Sequence, residues 1–193
     1  MTLKEQVIKN LVDFHGIMEK LKINFFLMDG TLLGLYRDGG LIEGDYDDID
    51  VGIFEEDEPR MRDIIPAMEE AGFFNNKSFR LKGMIEGLSF KRWVNHIDIF
   101  LVHRKGNEAF NLARNCCKIG SLDYMAYIYP AECFEKLGEI FFEGMMFKIP
   151  CKTDRFLAAR YNENWRTPHL RTEGFDMCNV KQNKALRGNY EYE

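Results

Sequence analysis

Apolar residues recur at spacings of four and three near the start of the chain. Val7, Leu11, Phe14, Met18 and Leu21 form one stripe, which predicts an amphipathic helix over 2–22. Thr2 can cap it, and Glu5 three positions on completes a capping box. His15 lies close to the stripe and reads as a partly buried helix residue. The run INFFLM over 23–28 predicts a short strand, and TLLGLYRD after Gly30 a short helix. Residues 48–53 then alternate, Asp-Ile-Asp-Val-Gly-Ile, as a half-buried strand does. A second amphipathic helix is predicted over 57–72, with Met61, Ile64, Met68 and Ala71 inward, Pro59 in its first turn and Gly72 at its end. Pro66 inside it predicts a kink or break.

Looser alternation over 78–93 predicts a hairpin that turns at Lys82-Gly83 or at Glu86-Gly87. HIDIFLV, 96–102, reads as a strand with His96, Asp98 and Phe100 on one face and Ile97, Ile99 and Leu101 on the other. Residues 103–140 carry less pattern, apart from a short helix over 130–137. A hairpin follows over 140–150, then a helix bearing Phe156, Leu157, Arg160 and Tyr161 that stops near Asn162. Residues 170–193 are polar with little period and read as a loosely held tail.

Composition narrows the class. At 193 residues the chain suits one domain. A net charge of −5 argues against nucleic acid or an anionic membrane as the main partner. No apolar run approaches the roughly 20 residues that span a bilayer, and MTLKEQVIKN lacks a signal-peptide core. Five Cys without a CxxC suggest a reducing compartment, so a cytoplasmic enzyme is expected. Cys116, Cys117, His103 and Cys133 could be drawn together round zinc, but their spacing matches no standard ligand pattern.

The candidate chemistry lies between Phe25 and Ile53. On a strand, Asp48 and Asp50 point the same way while Ile49, Val51 and Ile53 point to the core. Two carboxylates held side by side repel without a cation, and a hard metal such as Mg²⁺ takes oxygen ligands. An EF-hand is excluded: with Gly52 as the sixth loop position, Ile49 falls at the third. Asp29-Gly30-Thr31-Leu32 resembles the motif of haloacid-dehalogenase phosphatases, but the nucleophile's position is Leu27, which cannot form an aspartyl-phosphate. Gly30 and Thr31 open a helix whose free N–H groups suit phosphate, and Arg37 ends it as a candidate phosphate ligand. Asp98, between two isoleucines, needs a metal or hydrogen bonds to sit in a central strand. His96 could bind metal or cap the edge. Lys91 and Arg92 precede this strand, and one of them can face an anionic substrate.

Taken together, Gly30-Thr31-Leu32-Leu33-Gly34, Arg37, Ile42 and the run Asp45-Tyr46-Asp47-Asp48-Ile49-Asp50-Val51-Gly52-Ile53 resemble the signature of the LicD family, which includes fukutin and fukutin-related protein. The family's Pro-Trp pair before the acidic strand is missing and one residue is added, which leaves the roles of Asp45 and Asp47 open. Phe142-Glu143-Gly144 to Ile149-Pro150, and then Tyr161, Trp165 and Pro168, are similar to the family's later blocks.

The resemblance implies an α+β, nucleotidyltransferase-like mixed sheet flanked by helices, in one domain over 1–168 with a tail over 169–193. It implies that Asp48, Asp50 and Asp98 hold Mg²⁺, with Mn²⁺ an alternative, and that Asp98 orients or deprotonates an acceptor hydroxyl. Gly30, Thr31, Arg37 and Lys91 are the expected substrate-binding residues. The implied partners are a CDP-linked donor, carrying phosphocholine or a phospho-alditol, and a glycan or glycolipid acceptor, with CMP released. Transfer of NMP from an NTP would use the same carboxylates, and a non-catalytic binding protein is the third reading.

Overall fold

The computed structural model describes residues 1–114, 123–168, 182–189 and 191–192. In chain order the elements are α1 (Leu3–Leu21), β1 (Phe25–Leu27), α2 (Asp29–Asp38), β2 (Asp48–Phe54), α3 (Met61–Glu70), β3 (Phe74–Leu81), β4 (Met84–Arg92), β5 (Asn95–Lys105), β6 (Glu108–Arg114), β7 (Asp123–Pro130), β8 (Leu137–Phe142), β9 (Met145–Pro150), α4 (Thr153–Tyr161), β10 (Gln182–Asn189) and β11 (Glu191–Tyr192). Short 3₁₀ turns lie at Glu55–Arg60 and Ala131–Phe134. This is the α+β architecture expected, a mixed sheet with helices against it.

The strands run β10-β7-β6-β5-β4-β3-β11 with every neighbour antiparallel. β2 joins β5 on the edge opposite β4 and is parallel to it, and β1 lies antiparallel outside β2. The parallel step needs a crossover, which α3 and the β3–β4 hairpin provide. α1 starts as anticipated: Thr2 accepts from the Glu5 N–H at 3.2 Å and its own N–H donates to the Glu5 carboxylate at 2.7 Å. Its apolar stripe packs with Ile49, Val51, Ile97 and Ile99, all buried, on one face of the sheet. On the other face, beyond the carboxylates, Phe26, Phe134, Tyr129 and Phe156 stack into the same core beneath α4.

A polar clasp ties α1 to the β4–β5 turn. Arg92 donates to Asn10 at 2.7 Å and to Asp13 at 2.6 Å, and Asn95 donates to the Tyr46 carbonyl. The His96 N–H reaches the Asp47 carbonyl at 2.7 Å, so the loop before β2 is pinned to the start of β5.

Four expectations need correction. Pro66 does not break its helix: α3 is continuous from Met61 to Glu70, and the change of hydrogen-bonding pattern falls earlier, where the 3₁₀ turn containing Pro59 meets it. The short helix expected over 130–137 is a single 3₁₀ turn, Ala131–Phe134, with β8 starting at Leu137, and the weakly patterned stretch before it holds two of the sheet's strands, β6 and β7. The polar end of the chain contributes β10 against β7 and β11 against β3. The 78–93 hairpin turns at Lys82-Gly83, where both residues have positive φ, the two-residue geometry that matches strand twist. Cys116 and Cys117 lie outside the described residues. His103 is held between Glu55 and Glu86 at 3.0 and 2.8 Å, and Cys133 is buried beside Cys151.

Gly52 continues the Asp48–Asp50 face, and a Cβ there would lie 2.5 Å from the Phe26 ring and 2.6 Å from the Met28 sulfur, both fully buried. Gly52→Ala is therefore expected to cost about 1–3 kcal/mol or somewhat more in urea unfolding. Gly16, inside α1 with nothing near its missing Cβ, gives the opposite sign. Gly16→Ala should stabilise by about 0.5–1 kcal/mol.

Candidate active site

Parallel pairing sets Asp48 level with His96 and Asp50 level with Asp98. All three carboxylates project from the same face of two adjacent strands. One oxygen from each lies within 4.8 Å of the others, the one such group among the described residues.

Each carboxylate is held by neighbours that the local sequence provides. The backbone N–H of Asp50 donates to the Thr31 hydroxyl at 2.9 Å, and the Gly30 N–H donates to the Asp50 carboxylate at 3.2 Å. The Met28 N–H closes the β1–β2 ladder on the Asp50 carbonyl at 3.0 Å. Gly30 and Thr31 thus position Asp50 directly. The start of α2, with its outward N–H groups and positive dipole end, is brought beside the acids. A Cβ on Gly30 would sit 3.6 Å from Asp50 and 3.7 Å from Asp45, so the glycine opens toward the site and Asp45 stands at its rim. Ser89, opposite Asp98 on β4, hydrogen-bonds the Asp98 carboxylate.

One buried ion pair braces this arrangement, and the sequence reading missed it. Arg160 of α4 donates to both oxygens of Asp29, at 2.8 and 2.9 Å, with both side chains almost wholly buried. Asp29 is the first residue of α2 and has φ +43°, a left-handed conformation that Asp tolerates better than most residues. The bidentate pair fixes the turn between β1 and α2 against α4. The available signal was an arginine on the inward stripe of a helix: a buried cation demands an acid.

Arg37 is at the far end of α2, about 10 Å along the helix from Gly30. Its guanidinium donates to Asp38 at 2.8 and 2.7 Å and to the Trp165 carbonyl at 3.4 Å. It is engaged there, joining α2 to the segment after α4, and not at the carboxylates. Tyr161 and Trp165 are buried, with Trp165 against Tyr36, and they pack this segment onto the core. Lys91 does lie on the carboxylate face, exposed and directly opposite His96, whereas Arg92 turns to the other face into the α1 clasp.

Burial and mutual repulsion hold the acids toward their protonated forms. Burial, then Asp98, Asp47, Asp45 and Asp29, push Asp48 up to about 8. Burial and the charges of Asp48, Asp29 and Asp98 also raise Asp50. Burial raises Asp98, against the Ser89 hydrogen bond and the nearby His96 and Lys77. One buried oxygen of Asp48 and one of Asp98 have no hydrogen-bond partner. Unpartnered carboxylate oxygens converging from adjacent strands fit a divalent cation of the oxygen-seeking kind.

The LicD/FKTN/FKRP nucleotidyltransferase-domain family matches residues 22–152. The ribitol-5-phosphate transferase FKTN of Macaca fascicularis is 30% identical over 155 residues, 78% of this chain and 31% of that protein. The lipopolysaccharide cholinephosphotransferase LicD of Haemophilus influenzae is 42% identical over 67 residues, 33% of this chain and 25% of that protein. The chain spans about a third or less of the length of these curated relatives. The antibiotic-resistance factor ANT(2'')-Ia superposes with a TM-score of 0.55 at 10% identity, over 91% of this chain and 81% of that one, a likeness of fold.

Two predictions follow from the electrostatics. Between the ordinary carboxylate pKa near 4 and about 8, the folded chain retains protons that the unfolded chain releases. Without divalent cation, stability should therefore fall as pH rises through that window, by on the order of a few kcal/mol. Millimolar Mg²⁺ or Mn²⁺ should restore it, more at pH 8 than at pH 5, and Asp50→Asn should abolish most of the cation effect in thermal melts. Separately, Arg160→Met leaves Asp29 buried without its partner and should cost about 3–5 kcal/mol at neutral pH. Adding Asp29→Asn to Arg160→Met should recover part of that loss, which would identify the unpaired charge as the cause.

Proposed function

The chain belongs to the LicD/FKTN/FKRP nucleotidyltransferase-domain family, and from that membership and its buried carboxylates we propose that it is a metal-dependent phosphotransferase. The reaction moves a phospho-head group, phosphocholine or a phospho-alditol, from a CDP-linked donor to a hydroxyl of a glycan or glycolipid. CMP is the other product. The observation that carries this reading is the approach of Asp48, Asp50 and Asp98 within 4.8 Å on one face, with two of their buried oxygens unpartnered.

Asp48, Asp50 and Asp98 would hold the ion, Mg²⁺ or alternatively Mn²⁺. When bound it neutralises the donor's diphosphate and orients it, the main requirement of phosphoryl transfer. Thr31 and Gly30 keep Asp50 in place, and the start of α2 favours the donor's negative charge on that side. Ser89 holds the Asp98 carboxylate in the orientation from which its free oxygen accepts the acceptor hydroxyl's proton. That hydroxyl oxygen forms the new bond to the head-group phosphorus. The bond from this phosphorus to the bridging oxygen of CMP breaks, and CMP leaves with the electron pair. Asp29 and Arg160 touch no reacting atom; they set the start of α2 at the height of Asp50.

Purified chain incubated with Mg²⁺, a glycan pool and CDP-choline, CDP-ribitol or CDP-glycerol in turn is expected to release CMP from one of the donors. Asp50→Asn and Asp98→Asn should each lower that rate at least about a hundredfold, the scale of a lost catalytic proton acceptor or charge partner. Pyrophosphate from CTP or ATP in place of CMP would assign transfer of the nucleotidyl group instead.

A further inference from the structure

Near the end of β5, His103 has a carboxylate against each ring nitrogen. Nδ1 lies 3.0 Å from one Glu55 oxygen, and Nε2 lies 2.8 Å from one Glu86 oxygen. A neutral imidazole has one N–H and one lone pair, so it can satisfy one of these acids. The imidazolium has two N–H donors and satisfies both. The ring is largely out of solvent and stacks on Phe110, directly opposite on β6, with 4.8 Å between centroids. Burial opposes a charge on this ring. The hydrogen bonds and charges of Glu86 and Glu55 outweigh it, so His103 is held above the ordinary imidazole value.

Three parts of the sheet meet here. Glu55 opens the 3₁₀ turn directly after β2, Glu86 is on β4, and His103 is on β5. These strands also carry Asp48, Asp50, Ser89 and Asp98, but the ring is remote from them. His103 is five residues past Asp98, about 16 Å along the strand, and shares the face of Ile97 and Ile99. Around it Arg104 pairs with Glu56, Arg60 pairs with Asp57, and Glu58 accepts the Ile85 N–H at 2.8 Å. Arg80 stands opposite Ile85 on β3, and Glu108 stands opposite Lys105 on β6. His103 is the group that Glu55 and Glu86 share.

We propose that Glu55, His103 and Glu86 form a proton-operated clamp across β2, β4 and β5, closed when the ring carries two protons and open on the β2 side when it carries one. The side that opens follows from burial. The Glu86 side chain is 5% exposed and costly to leave without a donor, whereas that of Glu55 is 37% exposed and reached by water. The neutral ring therefore keeps its N–H on Nε2, toward Glu86, and turns the Nδ1 lone pair on Glu55. Two acceptors at that separation repel, and Glu55 leaves the ring, keeping the Arg104 backbone N–H at 3.2 Å. The proton thus decides whether the turn after β2 is fastened to the side chain of β5. Because folding raises the ring's value, the clamp's stabilisation is complete below about 6.5, the ordinary imidazole value, and is lost as pH rises through the folded value. The clamp does not depend on which reaction the carboxylates serve.

NMR titration of the histidine rings in the full chain tests this, with the His103 signals assigned through their bonds to the backbone. In the wild type His103 is expected to titrate above about 6.5, and the nitrogen shifts of its neutral form should place the proton on Nε2. Glu86→Gln should lower the midpoint. Glu55→Gln offers an amide that accepts from the imidazolium and donates to the neutral ring. That variant should lose the clamp's share of the fall in melting temperature between about pH 6.5 and 9. Asp48, Asp50 and Asp98 contribute equally to both proteins at this distance, so the difference between the two melting profiles reads the clamp alone. A wild-type midpoint at or below about 6.5, or a neutral ring with its proton on Nδ1, would overturn the proposal. So would equal pH profiles of melting for the wild type and Glu55→Gln. The first two outcomes are read on the wild type itself, so a variant that fails to fold still leaves the clamp decided.

Discussion

Two carboxylates 4.8 Å apart, both ionised, repel by about 3 kcal/mol even at an effective dielectric constant near 20, and this site packs three within that distance. The surrounding fold is what keeps them from moving apart or turning to solvent. β2 and β5 fix two of them level through the parallel ladder. Thr31 and Gly30 hold the Asp50 backbone and carboxylate, and Ser89 restrains Asp98. The buried Asp29–Arg160 pair ties the turn that carries Gly30 and Thr31 to α4, over a hundred residues later in the chain. Repulsion contained in this way is relieved either by the protons that burial favours on these acids or by a cation.

Register is the second constraint. A one-residue slip of β5 against β2 would turn Asp98 into the apolar face and set Ile97 or Ile99 among the acids. The apolar face prevents this, because Ile49, Val51, Ile97 and Ile99 are all buried beneath α1. The clasp of Arg92, Asn10, Asp13 and Asn95 adds a polar lock at the end of β5 nearest the site, and the same network holds the carbonyl of Tyr46 before the acidic strand. The core and the carboxylate face are thus specified by the same alternation, read from opposite sides of two strands.

That is also why the acids were legible from sequence and much of their setting was not. Asp48, Asp50 and Asp98 each alternate with β-branched apolar residues, a pattern that names both the strand and the face. α1, α4 and both hairpins announce themselves by stripe, cap or glycine turn. The later strands β6 and β7 fall in a stretch with little pattern, and β10 and β11 at the polar end of the chain depend on long-range pairing that no local window contains. The reach of Arg160 to Asp29 is a contact of the same long-range kind. Arg37 is a related case: its spacing from Gly30 is visible in the sequence, but not that its guanidinium bonds Asp38 and, far along the chain, the Trp165 carbonyl. Pro66 was weighed as a helix breaker, yet the buried stripe of Met61, Ile64 and Met68 holds α3 continuous through it.

The two halves of this face are held to different degrees by the fold. The carboxylates sit on the two most constrained strands, where a change of residue disturbs both packing and charge. The cations beyond them stand on β3 and β4, on the exposed side of a hairpin whose register already contains a bulge. The outer strand of such a hairpin can change the side chains it presents without moving Asp98, which the β4–β5 ladder and the Ser89 hydrogen bond hold in place. In this chain the outer hairpin presents Lys77 and Lys91 on the face where the ladder presents three acids, so the charge changes sign across about 10 Å of one sheet face.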